Sequence, residues 1–105
     1  MESNPKDFFK HMDADQNSIA IDNDLLQYPL ILRKWEKGDY FFPLGLGGKK
    51  KISKYFKDEK MSLTEKEKCW ILSSKNNIIW VIGKRMDDRF KLTNSTNTVL
   101  KIQYL

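Results

Sequence analysis

Six lysines (Lys49, Lys50, Lys51, Lys54, Lys57 and Lys60) fall between Gly47 and Lys60, with only Asp58 and Glu59 to offset them, a local charge of +4. Phosphate groups neutralise such a surplus, because Lys and Arg that bind a polyanion release its condensed counterions. The competing reading is a solvated helix face on which Lys54 pairs with Asp58 at i, i+4. Two acids do not balance six lysines, and repulsion within Lys49-Lys50-Lys51 favours an anionic partner. Just upstream, Gly45-Leu46-Gly47-Gly48-Lys49 is a glycine loop whose backbone N–H groups suit an anion at a helix start. It does not match the nucleotide-hydrolysing pattern G-x-x-x-x-G-K-[ST], because Gly45 and Gly48 are too close and Lys50 follows Lys49.

Other chemistry has little material. The single histidine, His11, lies near the start of the chain, and the single cysteine, Cys69, opens an apolar run where a buried, inert thiol is expected. No nucleophile, base and orienting group can be assembled, and one Cys with one His offers no zinc set. Asp87-Asp88, flanked by Arg85 and Arg89, reads as surface ion pairs in a turn rather than a divalent-cation site.

The elements that must position the lysines follow from periodicity and breakers. A helix is expected from Lys49 to Lys60, with Ile52, Tyr55 and Phe56 on its apolar side and Lys50, Lys54 and Lys57 on the other. Tyr55 and Phe56 then belong to the core rather than to a base-stacking platform. Ser62 and Glu65 have capping-box spacing and predict a second short helix through Lys68. Short strands are expected at Ile19–Ile21 and Leu30–Leu32, flanking an Asp/Asn-rich turn, and an extended piece at Tyr40–Phe42, stopped by Pro43. Trp70–Leu72 and Ile78–Ile82 read as a hairpin with a longer turn over Ser73–Asn77, the second run apolar throughout and so buried on both faces. Phe90–Leu92 and Val99–Ile102 are the last expected strands. The sum is a small α+β domain of short strands with two short helices. Residues 1–18 read as a leader remnant of a preceding region and residues 19–105 as one domain.

The 105 residues are 40% apolar and 12% aromatic, enough for one modest core without disulfides or metals. Residues 1–28 hold six acids against Lys6 and Lys10, or −4, so the rest of the net +5 chain carries +9. A basic body again suits a polyanionic partner. No apolar run approaches the roughly 18 residues of a membrane span, and the polar start is no secretory signal, so a cytoplasmic protein with no membrane partner is expected.

Several blocks in order and spacing resemble one family. They are Leu32-Arg33-Lys34-Trp35, Gly38-Asp39-Tyr40-Phe41, Pro43-Leu44-Gly45, Gly48-Lys49-Lys50-Lys51-Ile52-Ser53, Ile79-Trp80-Val81-Ile82-Gly83, Arg85-Met86-Asp87-Asp88-Arg89-Phe90 and Leu92-Thr93. Over about the last three-quarters of the chain they are similar to the C-terminal domain of bacterial tRNA(Ile)-lysidine synthases. The resemblance implies a β-sandwich-like α+β domain, of the type shared with the β subunit of phenylalanyl-tRNA synthetase, that engages the acceptor end of a tRNA. It implies a parent ligase that uses ATP to adenylate the wobble cytidine of the CAU-anticodon tRNA(Ile) and joins lysine to it. That chemistry would belong to an N-terminal ATP-pyrophosphatase domain, marked by an S-G-G-x-D-S loop that does not occur in these residues. No catalytic residue, metal or cofactor is expected here, ATP being bound by that other domain.

Carried over by position, Gly48, Lys49, Lys50, Lys51 and Ser53 match the family's basic loop, and Arg33, Lys84, Arg85 and Arg89 its other basic positions. Together with Lys54 and Lys57 they are the expected RNA contacts. The sequence departs from the family at Ser62–Lys68, where Pro-Arg-x-x-Arg is expected, and at Trp70, where a proline is expected. A second function class is a protein-interaction domain that docks on the catalytic half without RNA contact, through Trp35, Tyr40 and Phe42 if these are exposed rather than core.

Overall fold

The computed structural model describes residues 17–104. The leader expected over residues 1–18 therefore lies, but for Asn17 and Ser18, outside the described residues. The α+β arrangement of short strands with two short helices is as expected. Strand β1 (Ser18–Asp22) is buried along its whole length and pairs antiparallel with β7 (Val99–Gln103), Ile19 opposite Ile102 and Ile21 opposite Leu100. Its last residue ends it: the Asp22 carboxylate accepts from Asp24 N at 2.9 Å, starting a 3-10 turn over Asn23–Leu25, and from the Thr96 hydroxyl at 2.9 Å.

The largest sheet has the order β2-β5-β6, from β2 (Leu30–Lys34), β5 (Trp70–Ser74) and β6 (Asn77–Val81). The β5–β6 hairpin is tighter than expected. Ser73, Ser74 and Asn77 are in the ladder, and only Lys75-Asn76 turns, with Lys75 at φ 57°. Two serines can sit in a buried strand because they are satisfied there: the Ser74 hydroxyl accepts from Gln27 N at 2.7 Å and donates to Gln27 O at 3.0 Å, and the Ser73 hydroxyl donates to Ile31 O at 3.4 Å.

A two-stranded pair joins β3 (Tyr40–Phe41) to β4 (Lys50–Lys51), Tyr40 opposite Lys51 and Phe41 opposite Lys50. Helix α1 consequently spans Ile52–Asp58 and does not begin at Lys49. Lys50 and Lys51 are held extended by the ladder, and Ile52 N donates to Asp39 O at 2.9 Å, fixing where the helix starts. Its buried side is the expected one, Ile52, Tyr55 and Phe56. Helix α2 (Leu63–Lys68) carries the complete capping box, Glu65 N donating to the Ser62 hydroxyl at 3.1 Å and Ser62 N to the Glu65 carboxylate at 3.0 Å. The expected strand Phe90–Leu92 is instead a 3-10 turn over Asp88–Phe90, because the Asp87 carboxylate accepts from Arg89 N at 2.7 Å and tightens the chain.

Two apolar clusters fill the interior, and β6 feeds both. Ile78 and Val81 pack with Phe41, Ile52, Tyr55 and Phe56, whereas Ile79 and Trp80 pack with Ile19, Ile21, Met86 and Phe90. This two-sided burial accounts for a strand without polar alternation. Trp35 closes the first cluster, its ring edge-on to Phe56 at 5.3 Å.

Trp80 is fully buried and Trp70 is partly exposed. Trp80→Ala is expected to cost about 3–5 kcal/mol, and Trp70→Ala no more than about 1 kcal/mol, read as shifts of the urea midpoint at unchanged m-value. Equal shifts would contradict a core shared through β6.

Candidate nucleic-acid interface

Gly45, Gly47 and Gly48 have φ of 81°, 65° and 121°, conformations that a side chain would strain, and a Cβ at Gly47 or Gly48 would meet nothing within 4 Å. The loop is therefore open, and it is anchored at its base. Leu44 N donates to Met86 O at 3.0 Å, and Arg85 Nη1 donates to Leu44 O at 2.7 Å. It leads into β4 rather than into a helix, so the expected anion site at a helix start is not built.

The lysines separate into roles set by strand alternation. Lys50, opposite the buried Phe41, carries its ammonium to the exposed carboxylate of Asp58 and lies 5.9 Å from the Tyr55 ring centre. Lys54 reaches the same carboxylate at 3.4 Å. The hydrogen bond from Lys50, reinforced by Lys54, holds the Asp58 carboxyl below its ordinary range. Lys51 and Lys57 are exposed and, among the described residues, have no acid within ion-pair distance. Lys49 sits over the Tyr40 ring, 4.1 Å from its centre. Ser53 is exposed in the first turn of α1.

The arginines are engaged elsewhere. Arg33 forks onto Asp39, Nη1 to Oδ2 at 2.8 Å and Nη2 to Oδ1 at 3.0 Å, and Asp39 also accepts from Glu36 N at 2.7 Å. Burial pushes the Asp39 carboxyl up, but the Arg33 fork and the Glu36 N–H outweigh it and leave the group below its ordinary 3.8. Arg89 forks onto Asp87, Nε to Oδ1 at 3.0 Å and Nη2 to Oδ2 at 2.9 Å, while Nη1 reaches the Asn77 side-chain oxygen at 3.3 Å. Lys84 lies near α2, where it acts on Glu65 and Cys69. Burial raises the Cys69 thiol despite that charge, and the residue is buried as expected.

Two features escaped the sequence reading. Asp87 is not a surface residue: it is 0% exposed and also accepts from Phe42 N at 2.9 Å, whereas Asp88 makes the exposed pair, with Lys91 at 3.1 Å. An Asp two residues before an Arg, able to cap its own turn, is the signal for it. The second is the cationic setting of the Tyr40 and Phe42 patch, which the sequence offered only as an apolar docking surface. Tyr40 and Phe42 flank the buried Phe41, so both side chains turn outward, their rings edge to face at 6.2 Å. Arg89 lies over Phe42, Cζ 4.3 Å from the ring centre. The surface trio of Trp35, Tyr40 and Phe42 is thus divided, Trp35 facing the core.

Residues 30–103 match the family model described as the TilS substrate C-terminal domain. The tRNA(Ile)-lysidine synthase of Parabacteroides distasonis is 48% identical over 94 residues, covering 90% of this chain and 22% of that protein. The synthase of Bacteroides thetaiotaomicron is 41% identical over 86 residues, 82% of this chain and 20% of that protein. The chain thus spans about a fifth of the length of the curated relatives it matches. A solved structure described as the crystal structure of the TilS C-terminal domain superposes with a TM-score of 0.71 at 24% identity, over 83% of this chain and 67% of that one.

Asp87→Ala leaves the Phe42 N–H without its acceptor and frees the partly exposed Arg89, and is expected to cost about 2–3 kcal/mol; Asp88→Ala, which removes an exposed pair, should cost less than about 1 kcal/mol. Urea titration of both variants checks the contrast. The depressed Asp39 carboxyl fixes a sign as well. Its folded-state pKa lies below the unfolded one, so the pair's contribution is complete above about pH 4 and fades as pH falls through the depressed value. The stability difference between the wild type and Asp39→Asn should shrink below pH 4; a difference that grows there would contradict the assignment.

Proposed function

The chain belongs to the TilS substrate C-terminal domain family, and from that membership we propose that it is the tRNA-recognition domain of a tRNA(Ile)-lysidine synthase. In this reading it binds the acceptor end of the CAU-anticodon tRNA(Ile) in the cytoplasm. An N-terminal ATP-pyrophosphatase domain of the same parent chain would then use ATP to join lysine to the wobble cytidine. Residues 19–105 form the tRNA-binding unit, and residues 1–18 belong to the preceding region. Among the described residues no helix is long and apolar enough to cross a membrane.

The observation that carries the reading is the partition of charge around the glycine loop. Lys50 and Lys54 share Asp58, but Lys49 and Lys51, next to an open loop that a backbone can approach closely, and Lys57, in the last turn of α1, are not paired with acids among the described residues. Anions in a regular array, such as the phosphates of an RNA strand, complement that arrangement. Arg33, Arg85 and Arg89 contribute by holding the turn, the loop and Phe42 in place rather than as free cations. A second reading, docking on the catalytic half without RNA contact, is favoured by β2, an edge strand whose Ile31 and Leu32 are exposed.

Binding of the chain to a CAU-anticodon tRNA(Ile) transcript and to a non-cognate tRNA, each over a salt series, tests the first reading. Cognate preference is expected, with log affinity falling by roughly 0.9 per neutralised phosphate for each unit of log salt. The triple variant Lys49→Ala, Lys51→Ala, Lys57→Ala should lose about three contacts' worth of that slope. Unchanged affinity and slope in the variant would remove the basic segment as the site.

A further inference from the structure

The aromatic face and the unpaired lysines are not two sites. Antiparallel pairing puts Lys51 opposite Tyr40, the Lys49 ammonium lies over the same Tyr40 ring and the Phe42 ring meets it edge to face, so all four side chains gather on one side of the β3–β4 pair. The Lys49 ammonium lies over Tyr40 at 4.1 Å, and the Arg89 guanidinium lies over Phe42 at 4.3 Å. Tyr40 keeps 41% of its surface exposed. Arg89 is different in kind from the lysines. Its Nε and Nη2 are spent on the buried Asp87 carboxylate, so its charge is balanced, and what it presents outward is a fixed planar surface backed by a ring.

The ligand that this face suits follows from those chemistries. A protein partner docking through apolar contact would have to desolvate Lys49 and Lys51 at its centre, where charged residues are disfavoured. A purely helical nucleic acid would reach the lysines with its phosphates but leave the ring faces unused, because its bases are stacked on one another. Unpaired nucleotides satisfy both: their bases stack on aromatic rings and guanidinium planes while their phosphates stay within reach of ammonium groups. We propose that the Tyr40, Phe42 and Arg89 face stacks the bases of unpaired RNA nucleotides, with Lys49 and Lys51 on the adjoining phosphates. The proposal rests on the nucleic-acid reading above and refines it: the domain measures a single-stranded extension next to a duplex, and Lys57 of α1 takes the duplex backbone.

The test uses the whole chain and two RNA minihelices of identical stem, one blunt and one with a single-stranded 3′ extension of a few nucleotides. The extended RNA is expected to bind about tenfold more tightly. Tyr40→Ala should erase that advantage without changing the affinity or the salt slope for the blunt stem. Tyr40→Leu, which keeps apolar bulk but has no ring face, should behave like Tyr40→Ala, and Tyr40→Phe should bind like the wild type. Equal binding of the two RNAs by the wild type would overturn the stacking proposal while leaving the basic segment as a duplex site. An unchanged advantage in Tyr40→Leu would overturn it as well. If neither RNA binds, the nucleic-acid reading fails and the stacking face with it.

Discussion

Asp87 has no exposed surface, and its two oxygens accept from Phe42 N, Arg89 N, Arg89 Nε and Arg89 Nη2. A carboxylate taken out of water is tolerable only with this density of donors. The contacts tie the end of β3 to the turn that follows β6, and the backbone repeats the tie: Asp88 N donates to Phe42 O at 2.7 Å and Asp87 N to Ile79 O at 2.7 Å. A residue without a role in chemistry thereby sets the height of Phe42, the plane of Arg89 and the side of β3 on which Tyr40 emerges. The β3–β4 pair, and with it the exit of Lys49 and Lys51, inherits its position from that anchor.

Charge in this domain is divided between scaffolding and display. The arginines brace the scaffold: Arg33 closes the Glu36–Asp39 turn whose carbonyl receives the first N–H of α1, Arg85 holds the glycine loop at Leu44, and Arg89 caps Phe42. A planar fork suits that work because it satisfies both oxygens of a carboxylate at once. The lysines display, being flexible, strongly hydrated point charges with little reason to leave water until an anion arrives. Two of them, Lys50 and Lys54, are held back by Asp58, and Lys49, Lys51 and Lys57 are left on the surface.

Most strands were legible in the sequence because their apolar runs are short and bounded by breakers, and the capping box of α2 because both members lie within one turn. What tertiary contact decides was misplaced. Lys49 to Lys51 continue a helical period, yet pairing with β3 overrides it and delays α1 to Ile52. Ser73 and Ser74 look like turn residues, yet hydrogen bonds to Gln27 and Ile31 let them be buried in β5. Phe90 to Leu92 look like a strand until the Asp87 side chain, invisible as a buried group beside another acid, turns the chain. The lysine surplus at the site was readable from counting alone. The arginines were readable as basic but not as already paired, since their partners Asp39 and Asp87 are known only from the fold. Tyr40 and Phe42 could be named from the sequence as a possible exposed patch, but not their basic setting, because they meet Lys49 and Lys51 across a strand pair and Arg89 across the domain.

On the proposed reading, the face formed by β3–β4, the glycine loop and Arg89 is the one that receives RNA. Amide chemical-shift mapping of the isotopically labelled chain, titrated with the CAU-anticodon tRNA(Ile) acceptor minihelix, tests that claim residue by residue. The perturbed amides are expected to be those of Tyr40 to Phe42, Leu46 to Ser53 and Arg89, with β1 and β7 unmoved. Perturbations centred on the β1–β7 pair and the Asp22–Asp24 turn, with the glycine loop silent, would contradict it.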